Sequence, residues 1–373
     1  MKLLVNLSTL GAKPTGLGVY AAHCARAVAE AFDAEFIAPA SYSGPGRVTV
    51  RSPENITIGA GRTAAIRRWW WARRFATPAG RLPYSPTHQA FPNAQGQVLT
   101  IHDLISLRFP DTYPVQASYF RQVIPRHLKR CRAVFTVSET TRQDVHDRYG
   151  FPLGAIHVVP NGVDPQAFRP PAPGAPREAF LLMVGASFSH KNVEELLDRG
   201  ALWRDRFALV IASCRGDYRR RLEALVGERG LIGRVRFLDY VTPTELVSLY
   251  QRCAAFVYPS RWEGFGIPPL EAMACGAPVI ASDIPAHREV LGSAATLVRL
   301  GDTAAWEAAL GNLDRPREPA STAGLPPHER YTWARSAEAL VAALTAIEPT
   351  LVQHTPAASA PAPRIVRLEE KWS

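Results

Sequence analysis

The sequence predicts an α/β protein of two domains, and three observations carry that prediction. At 373 residues the chain is long enough for two ordinary domains with sizeable cores. Short apolar runs of strand length alternate with longer helical stretches, pause at the Pro/Ala-rich segment Pro165 to Glu178, and then start again. In the second half, Ala254 to Glu289 reads as strand, Gly-containing loop, short helix and strand. Such a unit aims loop and helix N–H groups into one crevice, which suits an anionic ligand such as a diphosphate.

Composition narrows the function classes. A hydrophobic fraction of 47% is ordinary for a globular protein and argues against global disorder. No apolar run approaches the length of a membrane span, and MKLLVNLSTLG reads as a first strand rather than a signal peptide, so the expected place is the cytoplasm. The five cysteines are scattered with no C-x-x-C pair, which points to reduced thiols and to neither zinc nor disulfides. A formal charge of +10 attracts phosphorylated ligands, anionic lipids and nucleic acids alike; with no nucleic-acid-binding motif beside it, nucleic acid is not expected as a partner.

In chain order, Leu3 to Leu7 is a strand, followed by Gly16-Leu17-Gly18 and a helix from Tyr20 to Phe32. The two glycines form either a nucleotide-type turn or a plain tight turn; a nicotinamide site is disfavoured because a third spaced glycine and a ribose acid are missing. Ile66 to Phe75 interleaves Trp69, Trp70 and Trp71 with Arg67, Arg68, Arg73 and Arg74. Indoles among arginines favour a membrane interface, while the alternative packs one or two of the rings in the core and leaves the arginines solvated. Val98 to Asp103 is a strand that ends in His102 and Asp103, at the edge where open α/β sheets place their sites. Further segments read as a helix over Tyr119 to Cys131, a strand over Ala133 to Ser138 and a helix over Ser138 to Tyr149. Ile156 to Asp164 closes the first half with a turn at Asn161-Gly162.

The second half opens on the strand Phe180 to Gly185. Lys191 follows, just before a helix over Val193 to Arg199, where a point charge beside helix N–H groups suits a diphosphate. Leu209 to Ser213 and Val235 to Leu238 are strands, with a basic helix from Tyr218 to Arg229 between them and another from Glu245 to Arg252 after them. In the central unit the strand ends at Tyr258, Pro268 and Pro269 suit a first helical turn, and Gly276 ends the helix. Glu263 and Glu271, with seven residues between them, flank the crevice as acceptors for sugar hydroxyls. Tyr331 to Ile347 is the last regular helix, and a Pro/Ala/Ser/Thr-rich tail follows.

The stretch SRWEGFGIPPLEAMACGAPVIASDIPAHREV resembles the nucleotide-sugar site of the family 4 retaining glycosyltransferases, including their E-x7-E signature. "TIHDL", "VPNGVD" and the "KN" of Lys191-Asn192 match further family motifs. The resemblance implies the GT-B fold: two facing Rossmann-like domains with the active site in the cleft between them. It divides the chain into an acceptor-side domain at 1–168, a linker at 169–178, a donor-binding domain at 179–328, a helix crossing back at 329–348 and a disordered tail at 349–373. It implies His102 near the donor sugar, Lys191 on the diphosphate, Glu263 on the sugar and Glu271 on the ribose. Donor contacts also fall to Gly16, Gly18, Gly264, Phe265, Gly266 and Ile267, with Val241 at the nucleobase. Many relatives with this wording use GDP-mannose or a related GDP-sugar, so that donor is expected, with a glycan acceptor on a polyprenyl-diphosphate carrier at the inner membrane surface. Retention by front-face attack is implied too. No D-x-D pair is present, so neither metal nor cofactor is expected. One departure is Ala186, where relatives often carry an arginine; Arg215 and His190 are the candidates to replace it. A UDP-sugar donor, or a non-catalytic membrane-associated protein that binds sugar nucleotides, is the alternative.

Overall fold

The computed structural model describes residues 1–11, 15–57, 63–73, 79–313 and 325–353. The first half builds a seven-stranded parallel sheet from β1 (Lys2–Asn6), β2 (Ala34–Pro39), β3 (Arg47–Ser52), β4 (Arg81–Ser85), β5 (Gln97–Ile101), β6 (Cys131–Thr136) and β7 (Ile156–Val158), in the order β3-β2-β1-β4-β5-β6-β7. The second half builds a six-stranded parallel sheet from β8 (Glu178–Val184), β9 (Ala208–Ala212), β10 (Val235–Leu238), β11 (Cys253–Tyr258), β12 (Val279–Ser282) and β13 (Thr296–Val298), in the order β10-β9-β8-β11-β12-β13. Central strands such as β8 and β11 read as near-continuous apolar runs, as expected where helices cover both faces of a sheet, while the edge strand β3 alternates. All five residues of β5 are buried, as are five of the six in β11. Each sheet reverses its winding beside its first strand, at β1/β4 and at β8/β11, so a crevice opens there at the carboxyl ends.

The helix Ile267–Ala274 starts where the sequence demands it. Gly266 caps it at φ +99°, a conformation that side chains rarely adopt, and Pro268 and Pro269 occupy the first turn at no cost in hydrogen bonds. It ends at Gly276, φ +75°, whose N–H bonds the Met273 carbonyl at 2.9 Å while the Ala277 N–H reaches Ala272 at the same distance. Leu270, Ala272, Met273 and Ala274 seat the helix in the core.

Two segments differ from the sequence reading. Tyr119 to Cys131 is not one helix but parts of two, Pro114–Gln122 and Ile124–Leu128, and Cys131 opens β6. Pro125 has no N–H to continue the first helix and instead begins the second. The first residues of the expected tail are held in place: the Val352 N–H bonds the Met1 carbonyl at 3.1 Å, and the Asp33 N–H bonds the Val352 carbonyl at 3.0 Å, at the amino ends of β1 and β2. Residues 354–373 lie outside the described residues.

The chain crosses between the halves twice at one place. Val163 pairs with Thr332, and a Cβ on Gly162 would fall 2.3 Å from the Trp333 nitrogen, so only glycine lets the two crossings touch. The helix Trp333–Ile347 then packs on the helix Gly16–Ala31 of the first half, with Trp333 stacked on His23 at 4.0 Å. Arg132 closes the contact by pairing with Glu348 at 2.6 Å.

Candidate active site

Lys191 ends a tight turn, Ser189–Lys191, directly after β8. Its Nζ donates to the Glu263 carboxylate at 2.7 Å and to the Tyr258 hydroxyl at 2.6 Å. Only 15% of the Lys191 side chain and 9% of the Glu263 side chain are exposed. Burial opposes both charges, but their mutual attraction wins: Glu263 is held well below the usual carboxylate range and Lys191 above the usual lysine value. The pair is therefore ionised and already in place.

Residues given no site role in the sequence reading shape this cluster. Tyr258 stands at the last position of β11, where the sheet-edge rule could have found it. Arg261 donates from Nε to Asn192 at 3.0 Å and from its backbone to the His190 carbonyl at 2.8 Å, tying the Lys191 turn to the Glu263 loop. No sequence signal pointed to Arg261.

Glu271 lies one helical turn further on and accepts from the Tyr250 hydroxyl at 3.0 Å. Burial pushes its carboxyl up to about 8, partly offset by that bond. The Phe265 ring is buried against Tyr331, so its backbone rather than its side chain is free for a ligand. Ile267 and Val241 are half-buried; beside Val241, Tyr240 is exposed with the Arg215 guanidinium 5.7 Å from its ring.

From the first half, His102 follows β5 and places Nε2 3.0 Å from the Pro86 carbonyl. That nitrogen must carry the hydrogen, which leaves Nδ1 as an acceptor. Burial pushes the ring down to about 4, so it is neutral at ordinary pH. Asp103 accepts from the Ile105 N–H at 2.9 Å and so serves the local turn.

The two halves meet at Gly264. A Cβ there would lie 2.3 Å from the His102 carbonyl oxygen and 2.9 Å from the Asp103 Cβ. The Gly264 carbonyl accepts from the Ser138 hydroxyl at 2.6 Å. Alongside, Tyr113 bonds His190 at 3.0 Å, and Arg108 lies 3.4 Å from the Trp262 ring centroid. The loop carrying Glu263 is thus seated on the strand end carrying His102.

Other predicted positions fall elsewhere. Gly16 and Gly18 are not in a loop but in the first turn of Gly16–Ala31, where Thr15 caps the Gly18 N–H at 3.1 Å. The two candidates for the missing arginine differ: Arg215 keeps its charge and donates from Nε to the Asp239 carbonyl at 2.6 Å, while His190 is driven neutral, down to about 4, chiefly by burial. The Trp/Arg segment divides. Trp71 is half-buried against Leu4, Ile37, Phe91 and Ala94, and Arg68 donates to the Ile56 and Thr57 carbonyls at 2.8 and 3.2 Å. Ile66, Arg67, Trp69, Trp70 and Arg73 are exposed, with Arg73 4.3 Å from the Trp69 ring centroid. Arg74 lies outside the described residues.

Two parallel α/β sheets with a charged cluster at their seam define a GT-B glycosyltransferase, and comparisons with known proteins agree. Residues 14–167 match the model of Glycosyltransferase Family 4, and 166–314 that of Glycosyl transferases group 1. The O-antigen chain mannosyltransferase RfbU of Salmonella typhimurium strain LT2 is 34% identical over 325 residues, covering 84% of this chain and 91% of that protein. The O-antigen chain mannosyltransferase B of Escherichia coli is 29% identical over 295 residues, covering 74% and 77%. Among solved structures, sucrose-phosphate synthase from Thermosynechococcus elongatus superposes with a TM-score of 0.63 at 20% identity over 93% of this chain and 96% of that one. Anabaena HepE in complex with UDP and glucose gives 0.62 at 16% identity over 93% and 97%. The chain belongs to the family 4 glycosyltransferases and groups with the O-antigen mannosyltransferases.

Proposed function

We propose that the protein transfers mannose from GDP-mannose, with retention, to a glycan acceptor carried on a polyprenyl diphosphate, in cell-surface polysaccharide synthesis. The observation that carries this is the buried Lys191–Glu263–Tyr258 cluster seated against His102. Breaking the bond between the sugar's anomeric carbon and the phosphate leaves negative charge on the diphosphate. Lys191 and the N–H groups from Gly264 to Ile267 meet that charge with groups already oriented. Glu263 and the bare Nδ1 of His102 accept from sugar hydroxyls, and Glu271 accepts from the ribose. The acceptor hydroxyl attacks from the leaving-group side, forms the new bond to the anomeric carbon, and passes its proton to the departing phosphate oxygen. Electrostatic stabilisation then comes from the protein, and activity is expected to survive EDTA; an absolute need for added magnesium or manganese would overturn that part.

Support for mannose comes from the names of the relatives, and support for guanine from the wording of the EGFG segment. The fold does not choose the base, since HepE was solved with UDP. A melting-shift screen with GDP, UDP and ADP tests the choice, because a nucleotide bound only by the folded state raises its stability. GDP should give the largest shift, and GDP-mannose should be turned over; a larger UDP shift would replace the donor. Binding without any turnover would favour the non-catalytic reading.

The exposed stripe of Ile66, Trp69 and Trp70 with Arg67 and Arg73 supports attachment to an anionic membrane surface. Among the described residues no helix is long and apolar enough to cross a membrane. Each arginine near such a surface adds about 1 kcal/mol, screened over about 8 Å at physiological salt. Trp69→Ser with Trp70→Ser should cut sedimentation with anionic vesicles while the melting temperature holds, because Trp71 keeps its core position. Undiminished vesicle binding would refute the attachment.

A further inference from the structure

We infer that Glu289 is a positioning residue for glycosyl transfer: from the donor-side domain it fastens the N-terminus of the helix Glu139–Tyr149 in the opposite domain, and so holds the Glu263 loop in register with His102. Its carboxylate accepts from the Glu139 N–H at 2.7 Å, the Thr140 N–H at 2.8 Å and the Thr140 hydroxyl at 2.7 Å. The first N–H groups of a helix have no partner within it, and an anion there is also favoured by the helix dipole. Those groups are here satisfied from across the seam. Ser138, which caps the same helix by accepting from Thr141 at 3.0 Å, donates its own hydrogen to the Gly264 carbonyl at 2.6 Å. One helix end therefore grips two segments of the facing domain, at 264 and at 289. Arg330 steadies the second of these, donating to the Val290 carbonyl at 3.0 Å.

The consequence is specific. Lys191, Glu263 and Glu271 all belong to one domain, so a nucleoside diphosphate needs no latch to bind. His102 belongs to the other domain and reaches a shared substrate only when the seam is shut. Loss of Glu289 should therefore lower kcat and leave nucleotide affinity nearly unchanged. Glu289 closes the stretch that resembles the nucleotide-sugar site, but both its carboxylate oxygens are engaged by Glu139 and Thr140, so it acts through that helix and Gly264. The inference rests on glycosyl transfer, not on the identity of the sugar.

The test measures kcat and the Kd of the nucleoside diphosphate for Glu289→Ala, Glu289→Gln and Thr140→Val, using whichever of GDP-mannose and UDP-glucose the wild type turns over. If the substrate proves to be UDP-glucose, the donor proposal falls and the latch is tested all the same. We expect kcat to drop about tenfold to a hundredfold in Glu289→Ala, as for charged hydrogen bonds. Glu289→Gln, which keeps one acceptor oxygen, should fall between Glu289→Ala and wild type, and Kd should stay within about threefold throughout. Because Glu289 and Thr140 act on each other, the double variant Glu289→Ala/Thr140→Val should be no slower than Glu289→Ala alone. Wild-type kcat in Glu289→Ala, a parallel loss of nucleotide affinity, or additive losses in the double variant would each overturn the proposal. Glu289→Gln, which keeps the side chain's shape, decides the matter if Glu289→Ala does not fold.

Discussion

The two halves of the molecule share a sheet plan but handle charge in opposite ways. The second half buries an ion pair, Lys191 and Glu263, and adds a carboxyl at Glu271 that burial drives up to about 8. The first half meets the Glu263 loop mainly through uncharged groups: the His102 ring, pushed down to about 4, the Ser138 hydroxyl and the ends of two backbone segments, while burial raises its Asp103 to about 6 and its Arg108 packs on Trp262. The difference shows how one fold, used twice, divides labour. A nucleotide-sugar donor carries the negative charge of a diphosphate, and the proposed site concentrates its buried charges in one domain. The other domain supplies acceptors and shape, which permit close approach without repelling or neutralising that cluster. His102 keeps its proton on the nitrogen facing Pro86, which leaves Nδ1 with only a lone pair.

The largest break in this comparison comes from removing its cation. Lys191→Ala leaves Glu263 buried with no counter-charge, which costs about 3–5 kcal/mol of stability for such pairs. It should also reduce turnover by a hundredfold or more, as for lost preorganised charge stabilisation. Lys191→Arg keeps a charge and should lose less. Combining Lys191→Ala with Glu263→Gln should restore much of the melting temperature but none of the turnover. Thermal melts and steady-state kinetics on the three variants check this, and wild-type turnover in Lys191→Ala would end the account of the diphosphate.

A second variant tests the meeting of the halves. Gly264→Ala puts a methyl group 2.3 Å from the His102 carbonyl, so either the loop or the strand end must move. Turnover should fall about tenfold or more, while GDP still raises the melting temperature if, as proposed, the nucleotide contacts lie on one side only. Unchanged turnover would show that the seam opens at no cost to catalysis.

What the sequence revealed follows the range of the physics behind it. β11 is visible as an unbroken apolar run and β5 as a mostly apolar one, since parallel strands are buried on both faces. Gly266, Pro268, Pro269 and Gly276 marked their helix because each residue type is suited to its backbone position there. The fold class and the family were legible for the same reason, as local wording. Contacts across the seam were not. Glu289 and Glu139 stand 150 positions apart, and nothing in either neighbourhood names the other. Gly264 reads in the sequence as a donor contact in a glycine loop; its close approach to the His102 carbonyl just beyond β5 has no local signal. The Trp/Arg run was legible as unusual, but only its placement on a helix divides Trp71 from Trp69 and Trp70.

The smallest effect concerns Glu271, and it sharpens the contrast through pH. Its folded-state value, up to about 8, lies above that of a carboxyl in the unfolded chain, so between about 4.5 and 8 the folded protein binds more protons than the unfolded one. Stability from this group is therefore fully present at low pH and is lost as pH rises through that window. Glu263 has the opposite sign. Held low by Lys191, it stabilises the fold above the usual carboxyl range, and that contribution goes only as strong acid protonates it. Glu271→Gln replaces the titrating carboxyl with a neutral group of the same shape that still accepts from Tyr250. The variant should melt close to wild type at pH 5 and a few degrees above it at pH 8.5, with weaker donor binding at both. Melting curves over that range, without nucleotide, are the measurement. A variant that tracks wild type at every pH would show that Glu271 is ionised and solvated, and the two carboxylates of the signature would then differ in place but not in charge.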